Sequence, residues 1–522
     1  MPVTPTYPGV YIEEIPSGVR TITPVATSIT AFIGSAPRGL ANDPVRVQSF
    51  AEYTRKFGGL HVSSSMSYAV AQYFQNGGSD GLIVRVTGAN AVPAKANVQG
   101  LPLEVASAGD WGNKIRVRVD QETRDKGDAN PTRFNLFVYD TESRALEEYR
   151  NLSTDSNDAR SVRTVLDDQS DLVRIEAGQS PSGRPGASGA IKAGTQWFDD
   201  ANNGSAFTPA AGGQNGAPIT EADIKGLEVS KTGVFALEKT DLFNILCIPP
   251  VDRNGEIENE TYAAALKYCK DRRAMLFLDS PSGWKSVDQA EKGMPQLIQA
   301  LGSESLTRNA AIFFPRLKMP DPLKENRISE FVTCGALAGI CARTDVSRGV
   351  WKAPAGIEAG ISGVREFTVK MTDPENGRLN PLGLNCLRNF RAYGNVVWGS
   401  RTLAGSDALG SEWKYLSVRR FALFMEESLY RGTQWAVFEP NDEPLWGQIR
   451  LNIGAFMHDL FRQGAFQGRT STDAYFVKCD NETTTQSDIN RGIVNIEVGF
   501  APLKPAEFVI IKFQQMAGKI ET

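Results

Sequence analysis

The chain is poor in histidine, the side chain whose ordinary pKa suits proton transfer near neutral pH. It has two histidines, His61 and His458. A serine–histidine–carboxylate site would have to use one of them, because imidazole is the base that titrates near neutral pH. His61 falls in the turn region Gly58–Ser65, and His458 lies in an amphipathic stretch where a solvent or interface role is the ordinary one. The six cysteines are Cys247, Cys269, Cys334, Cys341, Cys386 and Cys479. They are scattered in apolar contexts and form no CxxC pair, so buried free thiols made in a reducing cytosol account for them. Cys334 and Cys341 share a helical pattern, but so few histidines leave a zinc site short of ligands.

Residues 223–345 alternate strand and helix patterns, and such sheets bind ligands beyond the carboxyl ends of their strands. The loops there read CIPPVDRNGE, LDSPSGWKS and PRLKMPDP. None is a GxGxxG or GxxxxGK[ST] phosphate cradle. Asp279, at a strand end, has the type of a metal ligand, but a lone Asp there is more often a turn or helix-cap residue. DRNGEIENE has spaced acids without the calcium-loop pattern. No catalytic, cofactor-binding or metal constellation emerges. The expectation is no enzyme and no cofactor; an enzyme of unknown class on the α/β segment is the alternative.

The elements that would position any site are better defined. With 522 residues, 41% of them hydrophobic and 22% charged, the chain can bury a large core, and its length suggests about three domains. A net charge of −4 sets up no basic field for nucleic acid or a membrane surface. No apolar run reaches the length of a membrane helix, and no secretory signal is visible at the start.

Along 1–95, VATSITAFIGSAP and GLIVRVTG read as strands; SFAEYTRKFGG and SSSMSYAVAQYFQNGG read as serine-capped helices stopped by glycine. Residues 96–222 begin with alternating strands (NKIRVRVD, RFNLFVYD), then a helix running into a strand, and end in a Gly, Ser, Asn and Pro-rich stretch expected to bury little and to lie exposed. Residues 223–345 give strand–helix repeats, including DLFNILCIPP, RAMLFLDSP and RNAAIFFPRL as strands and RISEFVTCGALAGICART as a helix. This order predicts a parallel sheet with right-handed crossovers. In 362–522, EWKYLSVRRFALFMEESLYRGTQWAVF reads as a long helix into a strand. LWGQIRLNIGAFMHDLFRQGAF is helical, with Leu445, Ile449, Ile453, Phe456 and Leu460 on one face. GIVNIEVGFAP and EFVIIKFQQ read as two last strands. The expected class is mixed α/β and multi-domain, with a central three-layer βαβ-type sheet domain and a β-rich insertion.

The first residues pose a separate question. In PGVYIEEIP, Val10, Tyr11, Ile12 and Ile15 favour an extended backbone between Pro8 and Pro16. A lone strand is unstable in water. It pairs either with a distant strand of its own chain or with another chain.

YPGVYIEEIPSGVRTITPVATSITAFIGSAPRG, GDWGNKIRVRVD, LNPLGLNCLRNFRAYGNVVWGSRTL and the stretch from Glu412 to Gly468 resemble, in order, signature segments of contractile tail sheath proteins. The resemblance covers 1–95 and 225–522 well and 96–222 weakly. It implies a structural subunit that polymerises into a helix around an inner tube and contracts to drive the tube through a target envelope. It implies partners: the chain itself, the tube protein, and baseplate and terminal cap proteins, with no nucleic acid and no membrane contact by the sheath. It implies assembly in a bacterial cytoplasm into a phage tail, tailocin or other injection particle. It also implies domains: an arm and part of an inner domain (1–95), an outward-facing insertion (96–222), a central α/β domain (223–361) and a C-terminal inner domain with a strand arm (362–522). Its terminal strands, carrying Val10, Tyr11, Ile12, Ile15 and Val494, Ile496, Val498, Phe508, Ile510, would be exchanged between subunits by β-augmentation. Arg450, His458 and Arg462 on the helix Leu445–Phe466 are the expected tube-facing groups, with Lys414, Arg419 and Arg420 as the rival basic cluster. Charged contacts suit a grip that must release.

Overall fold

The computed structural model describes residues 20–512 except 130, 182 and 254. The chain divides into two compact units: Ser28–Ser347 with Pro354–Leu416, and Met1–Thr27 with Arg348–Ala353 and Ser417–Thr522.

The larger unit is built on an eight-stranded sheet. From one edge its strands are Gly394–Val397, Asn385–Phe390, Ala310–Phe314, Met275–Asp279, Ile245–Cys247, Thr30–Gly34, Gly81–Arg85 and Val45–Val47. The inner strands are parallel, and each edge strand runs antiparallel to its neighbour. The parallel strands from Thr30–Gly34 to Ala310–Phe314 are short and mostly apolar, as burial on both faces requires, whereas Asn385–Phe390 carries two Asn and an Arg. On one face Ala31, Ile33, Leu246, Leu276 and Ile312 meet helices Asn259–Asp271 and Val287–Leu301. On the other, Phe32 meets Tyr73 of helix Ser65–Gln75 edge-on at 5.5 Å. Helix Cys334–Arg348 lies directly against that helix: a Cβ on Gly335 would fall 2.0 Å from the Ala69 carbonyl oxygen, and one on Gly339 2.4 Å from that of Tyr73. Only glycine permits this approach. The three-layer βαβ arrangement is therefore present.

The early helices form for the reasons their sequences advertise. Ser49 accepts a hydrogen bond from the Glu52 amide, and Gly58 closes helix Phe50–Phe57 in the left-handed region at φ +93°.

The sheet draws on segments far apart in the chain. Strands at 30–34 and 81–85 stand in the middle of the sheet that holds 245–314, and strands 385–390 and 394–397 extend it. Parallel pairing joins strands far apart in sequence, so linear order does not mark the unit. RISEFVTCGALAGICART also begins differently, as strand Arg327–Phe331, before its helix starts at Cys334.

The β-rich segment has its own core. A four-stranded sheet (Thr208–Pro209, Ile115–Asp120, Phe134–Asp140, Leu146–Leu152) and a three-stranded one (Lys95–Val98, Leu101–Val105, Val173–Ile175) enclose Val98, Leu103, Val117, Phe134, Leu136 and Leu166. Its polar loop is not loose. Arg184 donates to the Arg133 and Gln121 carbonyls at 2.6 and 3.2 Å, and Arg118 donates to those of Gly189 and Ala206 at 2.8 and 2.7 Å. Tyr139 stacks on Phe198 at 3.7 Å. Backbone–side-chain bonds do here what apolar burial does elsewhere.

The smaller unit packs helices Leu416–Gly432 (from Ser417) and Glu443–Arg462 with the hairpin Tyr475–Lys478/Glu497–Phe500. TQWAVF is not a strand but a short turn of 3-10 helix at Gln434–Ala436. The chain entering the unit is anchored: the Arg20 amide donates to Asn452 at 2.9 Å, Arg20 lies 4.5 Å over Trp435, and Ile22 is buried.

Candidate assembly surfaces

Buried charged groups of the α/β unit find partners inside it. Asp279, at the carboxyl end of its strand, accepts from the amides of Thr333 and Cys334 at 2.7 and 2.9 Å. It caps the start of helix Cys334–Arg348, the cap role expected for it. Arg253 borders a cleft of about 700 Å³ with Asp252, Lys324 and Glu330. Its guanidinium pairs with the buried Asp321 and lies 4.5 Å over the Tyr68 ring. Tyr68 donates to the same carboxylate at 2.9 Å. Burial opposes ionisation of Asp321, but the hydrogen bonds from Arg253 and Tyr68 outweigh it and hold its pKa below the ordinary carboxylate value. His61 accepts from or donates to Ser63 at 2.9 Å in an exposed turn. No third group completes a triad with it among the described residues, and no three His, Cys, Asp or Glu side chains there converge on a metal position. Among the described residues, no helix is long and apolar enough to cross a membrane.

The smaller unit is different. Helix Glu443–Arg462 turns Leu445, Trp446, Ile449, Ile453, Phe456 and Leu460 inward. Its outer stripe runs Gln448, Leu451, Ala455, His458 and Arg462. His458 and Arg462 thus share the exposed face, with Asp459 beside them. Arg450 does not: it is half-buried, paired with Glu443 and donating to the Cys479 carbonyl, and the Glu443 hydrogen bond raises its pKa further. The rival cluster is turned inward. Arg419 is buried against Glu426 at 3.0 Å, Arg420 donates to the Thr27 carbonyl at 3.0 Å, and Lys414 is held by Asp407 at 2.6 Å.

Of the expected arm residues, Val10, Tyr11, Ile12 and Ile15 lie outside the described residues. Val498 sits in the strand Glu497–Phe500, paired antiparallel with Val477 of its own chain. Val494 and Ile496 are half-buried just before it and belong to no strand. Phe508 and Ile510 also belong to no strand; they are 73% and 82% exposed. The segment read as a last strand therefore has no ladder partner among the described residues. Two strands alone leave both outer edges of the hairpin unpaired within its sheet.

Residues 410–516 match the phage tail sheath C-terminal domain. Among whole-chain relatives, the tail sheath protein of Burkholderia phage BcepMu is 24% identical over 88% of this chain and 87% of its own length. The tail sheath protein of Vibrio phage KVP40 is 26% identical over 34% of this chain, a match spanning only 26% of that relative. The fold resembles a subunit from the contracted sheath complex of an extracellular contractile injection system, PVC, with TM-score 0.58 and 22% identity over 98% of this chain and 99% of that one. The sheath domain, with its helix stripe, hairpin edges and exposed tail, is thus the part of the chain that both the geometry and the family single out. The stripe was legible as helical periodicity. The internal neutralisation of Arg450 was not, since its partners lie seven residues back and on the hairpin.

Proposed function

We propose that this chain is the sheath subunit of a contractile tail or injection particle: it polymerises helically around an inner tube and shortens to drive that tube through a target envelope. The observation that carries the reading is the segment matching the sheath C-terminal domain, whose sheet edges and apolar run 508–511 have no ladder partner among the described residues. Residues 10–15 and 508–510 of neighbouring copies are the donors that would complete the hairpin sheet, with Val498 on the receiving strand and Val494 and Ile496 leading into it. Because donor and receiver are different surfaces, the contact is head-to-tail and propagates into a helix. His458 and Arg462 are the tube-facing groups, in place of Arg450, whose charge Glu443 already offsets. Energy for contraction would be stored at assembly in a metastable extended state, with arms acting as hinges between domains that rotate as bodies. Baseplate and cap proteins would bound the polymer at its ends, and assembly would take place in a bacterial cytoplasm.

The test is electron microscopy of the purified full-length protein, alone and with its tube protein. Tubular or cogwheel-ended polymers are expected. A chain that stays monomeric under both conditions overturns the proposal.

A further inference from the structure

Two surface features of the C-terminal unit are unsatisfied in complementary ways. The first is the turn between the two long helices. After Gln434–Ala436 the backbone presents Val437, 64% exposed, and Phe438, fully exposed. Phe438 has φ +69°, a left-handed conformation that a bulky L-residue adopts rarely. Its neighbour Trp435 is covered by Arg20, but the Phe438 ring is held out into solvent. Beyond it stand Glu439 and Asp442, exposed and without an ion pair among the described residues.

The second is the tail. Phe508, Val509, Ile510 and Ile511 are 72–82% exposed, and Lys504 and Lys512 flank them without an ion pair among the described residues. Glu507, the acid within this stretch, is already engaged. One feature is an apolar tip with spare acids, the other an apolar run with spare bases. Exposed aromatic and aliphatic groups rimmed by complementary charge are the composition of an interface core and its rim.

We propose that the turn Val437–Asp442 of one copy receives the tail Lys504–Lys512 of a second copy, with Val437 and Phe438 against Phe508–Ile511 and Glu439 and Asp442 facing Lys504 and Lys512. The proposal rests on the sheath reading and names the surface on the receiving subunit that holds the tail's side chains. The turn is tied to the receiving hairpin, since Asn441 donates to the Ile493 carbonyl at 3.0 Å, just before strand Glu497–Phe500. Every copy carries one turn and one tail, so the contact repeats without closing on itself.

Charge swaps test this on the purified full-length chain, with polymerisation read by sedimentation and electron microscopy at low salt, where repulsion is least screened. The variant E439K/D442K, with four bases and no spare acid at this contact, and the variant K504E/K512E, with the reverse, should each polymerise poorly alone. Mixed in equal amounts they should polymerise, because each then meets its opposite in the other. The quadruple variant should also polymerise. V437S/F438S should raise the critical concentration about tenfold or more, as loss of a buried aromatic anchor does. Rescue in the mixture also shows that both variants are folded. If all variants polymerise like the wild type, the contact is refuted while the sheath reading stands. If the single-sign variants fail and mixing does not rescue them, the turn serves a contact within one chain or with the tube, and the proposal is overturned. A wild-type chain that never self-associates overturns both readings.

Discussion

The α/β sheet unit and the C-terminal sheath domain use apolar residues to different ends. In the first, both faces of the sheet are covered by helices, and the buried carboxylates Asp321 and Asp279 are hydrogen-bonded within the unit. In the second, one helix face and one hairpin face are buried, while a turn and an apolar run are exposed and the hairpin edges have no ladder partner among the described residues. A unit that completes itself resists deformation, because packed interiors are close to crystalline density. On the proposed reading, one left open would be finished by other chains. The contrast would suit a polymer: a rigid body, and a connecting domain whose last bonds form on assembly.

The comparison can be broken from the rigid side first. Phe277 is fully buried in the central sheet, edge-on to Phe313 at 5.6 Å. Phe277→Ala should cost about 4 kcal/mol, read as a fall in the urea midpoint. A loss below about 1 kcal/mol would show that this core is not close-packed.

Asp321→Asn leaves the Arg253 guanidinium buried without its counter-charge, and should cost about 3 kcal/mol at neutral pH. The pKa of Asp321 is lowered in the fold. Its contribution is therefore complete above the unfolded carboxylate value of about 4, and is lost as pH falls through the lower folded value. In the variant the acid limb of the stability profile should be flatter. An unchanged limb would remove Asp321 from the acid response.

Arg184→Ala tests the insertion. It removes the donor to the Arg133 and Gln121 carbonyls. We expect a global cost of about 1 kcal/mol but new protease cuts within 178–207. Equal cutting before and after would mean that the loop opens freely without that staple, as its composition alone suggests.

The smallest effect on stability should come from the helix stripe. His458→Glu with Arg462→Glu should leave stability within about 0.5 kcal/mol and still weaken assembly around the tube, most at low salt. Normal assembly at low ionic strength would remove this stripe from the tube contact.

Local periodicity and capping in the sequence determined much of this molecule. The serine caps and terminal glycines of the early helices, the buried stripe of Glu443–Arg462 and the apolar parallel strands all follow from which residues recur at which spacing, and short-range sterics and hydrogen bonding are enough to produce them. The absence of a phosphate-cradling loop is likewise a property of the chain as written. Only the tertiary structure decided which strands share a sheet, because Thr30–Gly34 meets Ile245–Cys247 across more than two hundred residues and nothing local encodes that pairing. It decided that a Gly-, Ser- and Asn-rich loop is stapled down, since Arg184 and Arg118 find carbonyls that sequence proximity does not place beside them. It also decided which charges are available for partners. Arg450, Arg419 and Arg420 look alike in sequence to Arg462, but a charge is free or engaged according to the groups that folding brings within a few ångströms, and only Arg462 of the four is left on the outer face.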